Sequence, residues 1–137
     1  MYRSALLLAG ILQLTCIAAN AQGSPTTSYL EIHKKELAAT SYADLQALRS
    51  STSIAKDKPM TKDELNFLFP LFKAGLPKQV TITNEKVNGT SAILEATGEN
   101  EPQAGVTDKT VGQIELTWED GQWKIEHERW DTKVVMK

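Results

Sequence analysis

From Gly112 to Trp130 apolar and polar residues alternate through GQIELTWEDGQWKIEHERW, and the alternation breaks at Asp120-Gly121. A period of two is the spacing of a half-buried strand. Asp-Gly between two such runs predicts a type I′ hairpin, because both central residues of that turn need positive φ. With those two residues as the loop, Trp118 faces Trp123, Leu116 faces Ile125 and Ile114 faces His127, all on one side. The other side carries Glu115, Thr117, Glu119, Lys124, Glu126 and Glu128, with Trp130 as its one large apolar member. A ribbon this one-sided requires an apolar cover.

The preceding residues supply it. Tyr29, Leu30, Ile32, His33 and Leu37 recur at helical spacing and predict a first helix over about Thr27 to Ala39, after a short polar leader at 22–28. Ser41 can cap a second short helix whose buried edge is Tyr42, Leu45 and Leu48, with Asp44 three residues on. Arg49 to Lys58 is polar apart from Ile54 and reads as a loop or a brief extended piece. Thr61 and Glu64 form a capping box for a third helix, with Met60 placed to staple against Leu65. Its apolar face is Leu65, Leu68 and Phe72, broadened by Phe67, Phe69 and Leu71. Pro70 should kink or end it near Phe69, and Gly75 and Pro77 close the segment.

After Pro77 the period returns to two. Gln79–Val87 and Thr90–Gly98 predict a second hairpin around Asn88-Gly89, so that the sequon Asn88-Gly89-Thr90 reads as a turn. A strict two-residue loop would put Ile82 opposite Glu95. Slipping the pairing to set Ile82 against Leu94 and Val80 against Ala96 restores an apolar side, which calls for a bulge or a four-residue loop. Glu99 to Lys109, with Pro102 and Gly105, is a crossing to the final hairpin. The fold class is therefore α+β: three N-terminal helices packed on a curved antiparallel sheet of about four strands.

Composition changes this picture chiefly at the N-terminus. Arg3, the apolar run Ala5–Ala19 and the small residues Ala19-Asn20-Ala21 form a signal peptide, with cleavage expected after Ala21 and a secreted or periplasmic destination. A lipid anchor on Cys16 is disfavoured, because Gln13 and Thr15 stand where such an anchor wants leucine and a smaller residue. Cleavage leaves a single domain, 22–137, with no integral membrane segment. It also removes the one cysteine, so no disulfide or thiol nucleophile is left. The formal charge of −2 becomes −3 once Arg3 is gone. Without a basic cluster, nucleic acid is excluded as the main partner.

The run G-x-I-x-L-x-W-x-D-G-x-W-K-I, Gly112 to Ile125, resembles small members of the nuclear transport factor 2-like superfamily. The upstream V-N-G-T-S-A-I-L, Val87 to Leu94, looks like that group's penultimate hairpin. The resemblance spans roughly residues 27 to 130 and implies a cone whose sheet and helices enclose a pocket. The superfamily includes isomerases, dehydratases, polyketide cyclases and many binding or accessory domains. No motif here matches their acid/base residues, so none is carried over.

Candidate chemistry centres on the two histidines. His127 is expected inside the cone as an acid/base, and Tyr29, His33 and Trp118 join it as pocket-lining candidates, with Tyr42 a further donor. The competing reading is two partly buried histidines hydrogen-bonded to backbone or carboxylate. Glu126-His127-Glu128 cannot converge on one ion, since neighbours on a strand point to opposite faces, and no metal site is expected. Glu115 and Glu126 are expected to face each other on the exposed side. Trp118 and Trp123 read as a core pair worth about 0.5–1.5 kcal/mol beyond burial. Trp130 either packs under Val134-Val135-Met136 or sits in a homodimer contact through the sheet.

No phosphate loop, hydrolase elbow or cofactor motif occurs. Two functions remain. One is an exported binding or accessory domain for a small apolar ligand or a protein partner. The other is a small pocket enzyme of isomerase, dehydratase or cyclase type acting through His127.

Overall fold

The computed structural model describes residues 23–100 and 109–133. Helices α1 (Pro25–Ala38), α2 (Tyr42–Gln46), α3 (Ser51–Ala55) and α4 (Lys62–Gly75) precede strands β1 (Gln79–Asn88), β2 (Ser91–Glu99), β3 (Lys109–Glu119) and β4 (Gln122–Lys133). The strands form one open antiparallel sheet in the order β1-β2-β3-β4. The α+β order is as expected, but the described residues hold four helices and not three. The expected leader Met1–Ala21, the expected crossing around Pro102 and Gly105, and the tail Val134-Val135-Met136 lie outside the described residues. Among those described, no helix is long and apolar enough to cross a membrane.

The additional helix, α3, replaces the loop expected at Arg49–Lys58. Its sequence STSIA has too few apolar residues to show a period, and caps form it instead. The Ser50 hydroxyl accepts from the Ser53 amide, and the Glu119 carboxylate accepts from the Ser51 amide and hydroxyl at 3.0 and 2.9 Å. Helix α1 likewise starts before its apolar stripe, because Ser24 caps it and Pro25 suits the first helical position. Glu85 of β1 strengthens that end, accepting from the Thr26 amide at 3.0 Å and its hydroxyl at 2.8 Å. Helix α4 has the expected capping box of Thr61 and Glu64. It runs through Pro70 to Gly75. Pro70 and Asn66 are both exposed, so water can serve the Asn66 carbonyl that proline leaves without a donor.

The first hairpin turns at Gly89-Thr90, one residue later than expected, with Asn88 paired to Ser91 and Gly89 at φ 60°. A single positive φ at the first central position is the type II′ form. Register is then restored at a bulge between Ile82 and Asn84, so Ile82 meets Ala96 and Val80 meets Gly98. Leu94 faces Glu85 and not Ile82, which is what lets Glu85 reach the start of α1.

The second hairpin begins as its sequence dictates. Asp120 and Gly121 have φ of 53° and 77°, Trp118 faces Trp123, and Leu116 faces Ile125. The two indoles meet edge to face at 5.4 Å. Below Ile125 the register changes, because Glu126 has no partner and forms a bulge. Ile114 then faces Glu128 and not His127, and Glu115 faces His127 and not Glu126. The cause lies at the edge of β4. The Ser50 amide donates to the Ile125 carbonyl and the Ile125 amide to the Leu48 carbonyl, both at 2.9 Å. Hydroxyls of Ser50 and Thr52 together with Lys56 draw the Glu126 carboxylate to that edge.

The core lies between α1 and the sheet. Tyr29 and Ile32 pack on Ala92, Leu94, Ala96, Ile114, Leu116, Trp123 and Ile125. Trp130, expected on the polar face, stands instead opposite Gly112 and packs against this core. A Cβ on Gly112 would run into the six-membered ring of the Trp130 indole. Gly112→Ala is therefore expected to lower stability by about 1–3 kcal/mol in urea unfolding, through overpacking; an unchanged midpoint would contradict this packing.

Candidate functional site

The capped and bulged elements border an open-sided cavity of about 540 Å³ between α4 and the end of the sheet bearing β4. Met60, Leu68, Phe69, Leu71 and Phe72 line it from the α4 side. Leu45 and Ile125 add apolar wall, Tyr42, Arg49 and Ser53 add polar wall, and Glu36, Glu126, His127 and Glu128 complete the lining. Helix α4 buries no residue fully, and Phe67 and Leu71 are 70% and 57% exposed. Its C-terminal half is tied to the end of α1 by Lys73, whose Nζ donates to the carbonyls of Leu37 at 2.8 Å and Ala39 at 2.6 Å.

The polar floor is the unusual part. Glu36 lies on the buried stripe of α1 and is only 2% exposed. It faces Glu128, which the bulge has turned inward. Tyr29 Oη donates to Glu128 Oε1 at 2.6 Å, and Trp130 Nε1 donates to the same oxygen at 2.9 Å. Glu36 Oε1 and Glu128 Oε2 are buried and receive nothing from any described donor. Burial first, and then the charge of Glu128, push the Glu36 carboxyl up to about 10. At neutral pH Glu36 thus keeps its proton and can share it with Glu128. The same causes, burial ahead of the Glu128 charge, raise the Tyr29 phenol far above its ordinary range.

The other charges of the lining are matched. Arg49 forms a fork with Asp57, Nη1 to Oδ2 at 2.6 Å and Nη2 to Oδ1 at 3.0 Å, and its Nε and Nη2 also reach Ser53 Oγ. Glu126 accepts from Ser50, from Thr52 at 2.6 Å, from Lys56 at 3.3 Å and from Thr117 at 3.3 Å. Those hydroxyls, Ser50 first, lower its carboxyl to about 2. Among the described residues no group of three or more His, Cys, Asp or Glu side chains is placed to hold a metal ion.

Of the candidates singled out from the sequence, His127 lines this cavity as an exposed rim residue, and Tyr42, the further donor, stands in its polar wall. His33 is buried in α1 with Nε2 2.8 Å from the Pro77 carbonyl oxygen. Tyr29 is fully buried behind Glu128, and Trp118 is occupied with Trp123. The residues that sequence reasoning missed are Glu36 and Glu128. Glu36 carried a legible signal, since it follows Tyr29, Ile32 and His33 at spacings of seven, four and three along one helix face. Glu128 carried none, because its direction depends on the bulge.

These carboxyls set opposite pH limbs for stability. A glutamate unfolds to an ordinary value of 4.5, so between 4.5 and about 10 the folded state holds a proton on Glu36 that the unfolded state releases. Stability then falls as pH rises, by at most about 1.4 kcal/mol per pH unit. Glu126, with Asp57 and Glu119 also lowered, contributes stability that is present above 4.5 and lost as pH falls towards 2. Denaturant unfolding across pH should show greatest stability near pH 5, with the alkaline limb flattened in Glu36→Gln and the acid limb reduced in Glu126→Gln. Wild-type stability that climbs from pH 5 to pH 9 would refute the assignment to Glu36.

Comparison of the chain with protein-family models, with curated proteins and with solved structures finds no match.

Proposed function

We propose that this chain is a small exported binding domain of the nuclear transport factor 2-like kind, whose cavity takes an apolar small molecule. One observation carries the reading: an apolar cavity of about 540 Å³ with convergent polar groups at its floor. That size falls within the roughly 300–1,000 Å³ typical of small-molecule sites, and apolar walls with few polar anchors are their usual composition. The family reading draws its support from the sequence run Gly112–Ile125 and from helices preceding a four-stranded antiparallel sheet. Export rests on the leader Met1–Ala21.

A second reading, a pocket enzyme of isomerase, dehydratase or cyclase type, is favoured by the Glu36–Glu128 pair. A carboxyl that keeps its proton beside one that accepts is the pairing that general acid/base chemistry uses. In that reading these two carboxyls take the role first given to His127. Consumption of a bound ligand, and not its retention, distinguishes the enzyme from the binding domain.

A thermal-shift screen of apolar small molecules tests the cavity. A ligand at a hundred times its Kd adds about 2.7 kcal/mol of stability, a shift of several degrees for a domain of this size. Leu68→Trp places an indole in the cavity from a helix that contributes nothing to the core, so it should remove the shift and leave the unliganded Tm in place. Hits that stabilise wild type and variant equally would reject the cavity as the site. Intact-mass measurement of the exported protein should give a chain starting at Gln22; a retained leader or a lipid adduct on Cys16 would reject export by simple cleavage.

A further inference from the structure

The floor of the cavity also bears on the charge of what could bind there. This step rests on the reading of the cavity as a ligand site. Glu36 is 2% exposed and its Oε1, like Oε2 of Glu128, is buried with no described donor. Tyr29 and Trp130 are both spent on the other oxygen of Glu128, and the Glu36 proton is shared within the pair. Arg49, the cation of the wall, is neutralised by its fork to Asp57. Lys73 is turned to the carbonyls of Leu37 and Ala39, and Lys56 to Glu126. The floor is thus left with one negative charge shared by two carboxyls and lacking a cationic partner, beneath walls that offer hydrocarbon.

We infer that the cavity binds a hydrophobic molecule carrying one protonated amine, its tail under α4 and its ammonium on the Glu36–Glu128 pair. An ammonium on the cavity side of the pair cancels the charge that burial makes costly and adds charge-assisted N–H bonds to the carboxyls. A neutral alcohol supplies one donor and no charge. A carboxylate ligand would set a second negative charge beside Glu128, and the two would repel. A bare inorganic ion would leave the apolar walls unfilled. Glu36 is already neutral, so the ligand's charge pairs with Glu128, and Glu36 acts as an orienting hydrogen-bond partner.

The test compares three ligands with one tail, 4-phenylbutylamine, 4-phenylbutanol and 4-phenylbutyrate, by titration calorimetry at neutral pH on the folded domain. The amine is expected to bind at least tenfold tighter than the alcohol, with the carboxylate weakest. Glu36→Gln, which copies the protonated carboxyl in shape and charge, should keep that preference. Glu128→Gln should bring the amine down to the level of the alcohol. Should Glu128→Gln fail to fold, the wild-type order and Glu36→Gln decide by themselves. Equal binding of amine and alcohol, or a carboxylate that binds best, overturns the charge inference while the cavity remains a ligand site. Absence of binding by all three overturns it as well, and the broader apolar screen with Leu68→Trp then shows whether the cavity reading falls with it.

Discussion

The bulge at Glu126 is the constraint on which the interior depends. A strand places alternate side chains on opposite faces, so one added residue exchanges the faces of everything beyond it. Here it sends Glu128 and Trp130 inward and His127 to the rim, while Glu126 turns to the edge. The bulge is held by its neighbours. Leu48 and Ser50 pair with Ile125, and the hydroxyls that end this segment clasp the Glu126 carboxylate. The polar stretch Arg49–Lys58 is thereby a fastening for β4, and α3 is the form it takes.

Inward placement of Glu128 has consequences across the core. It meets Glu36 from α1, receives Tyr29 from the same helix, and takes the Trp130 indole as a second donor. Trp130 can lie there because Gly112 has no side chain to meet it. One displaced residue on β4 therefore depends on a glycine on β3 and a buried stripe on α1. Two carboxyls in so dry a place cannot both shed their protons cheaply, and Glu36 keeps its own. Structures carry such groups at a cost in stability, which is why they mark sites of use more often than of scaffold.

Helix α4 stands apart from this economy. Its capping box and the Lys73 tie fix its ends, yet it buries no residue and presents phenylalanines and leucines to the cavity and to solvent. A helix held at its ends over an apolar space adds wall without adding core. This separation lets the cavity vary while the sheet and α1 remain as they are.

Much of the frame was legible in the chain. The capping box at Thr61 and Glu64, the Asp120-Gly121 turn, the Trp118–Trp123 pair, and helices followed by antiparallel strands all follow from local chemistry and period. Each involves residues whose partners are close in sequence or set by turn geometry. Helix α3 was hidden because caps form it, one of them Glu119 from a distant strand. The site was hidden for a related reason. Glu36 showed itself only as a carboxyl on an apolar stripe, and the pattern at Glu126-His127-Glu128 put the histidine inside. Alternation assumes an unbroken register, and only edge pairing by Leu48–Ser50, some seventy-five residues away along the chain, supplies the bulge that breaks it. Sequence by itself determined the elements and the faces of unbroken strands; tertiary contact decided which carboxyl entered the cavity.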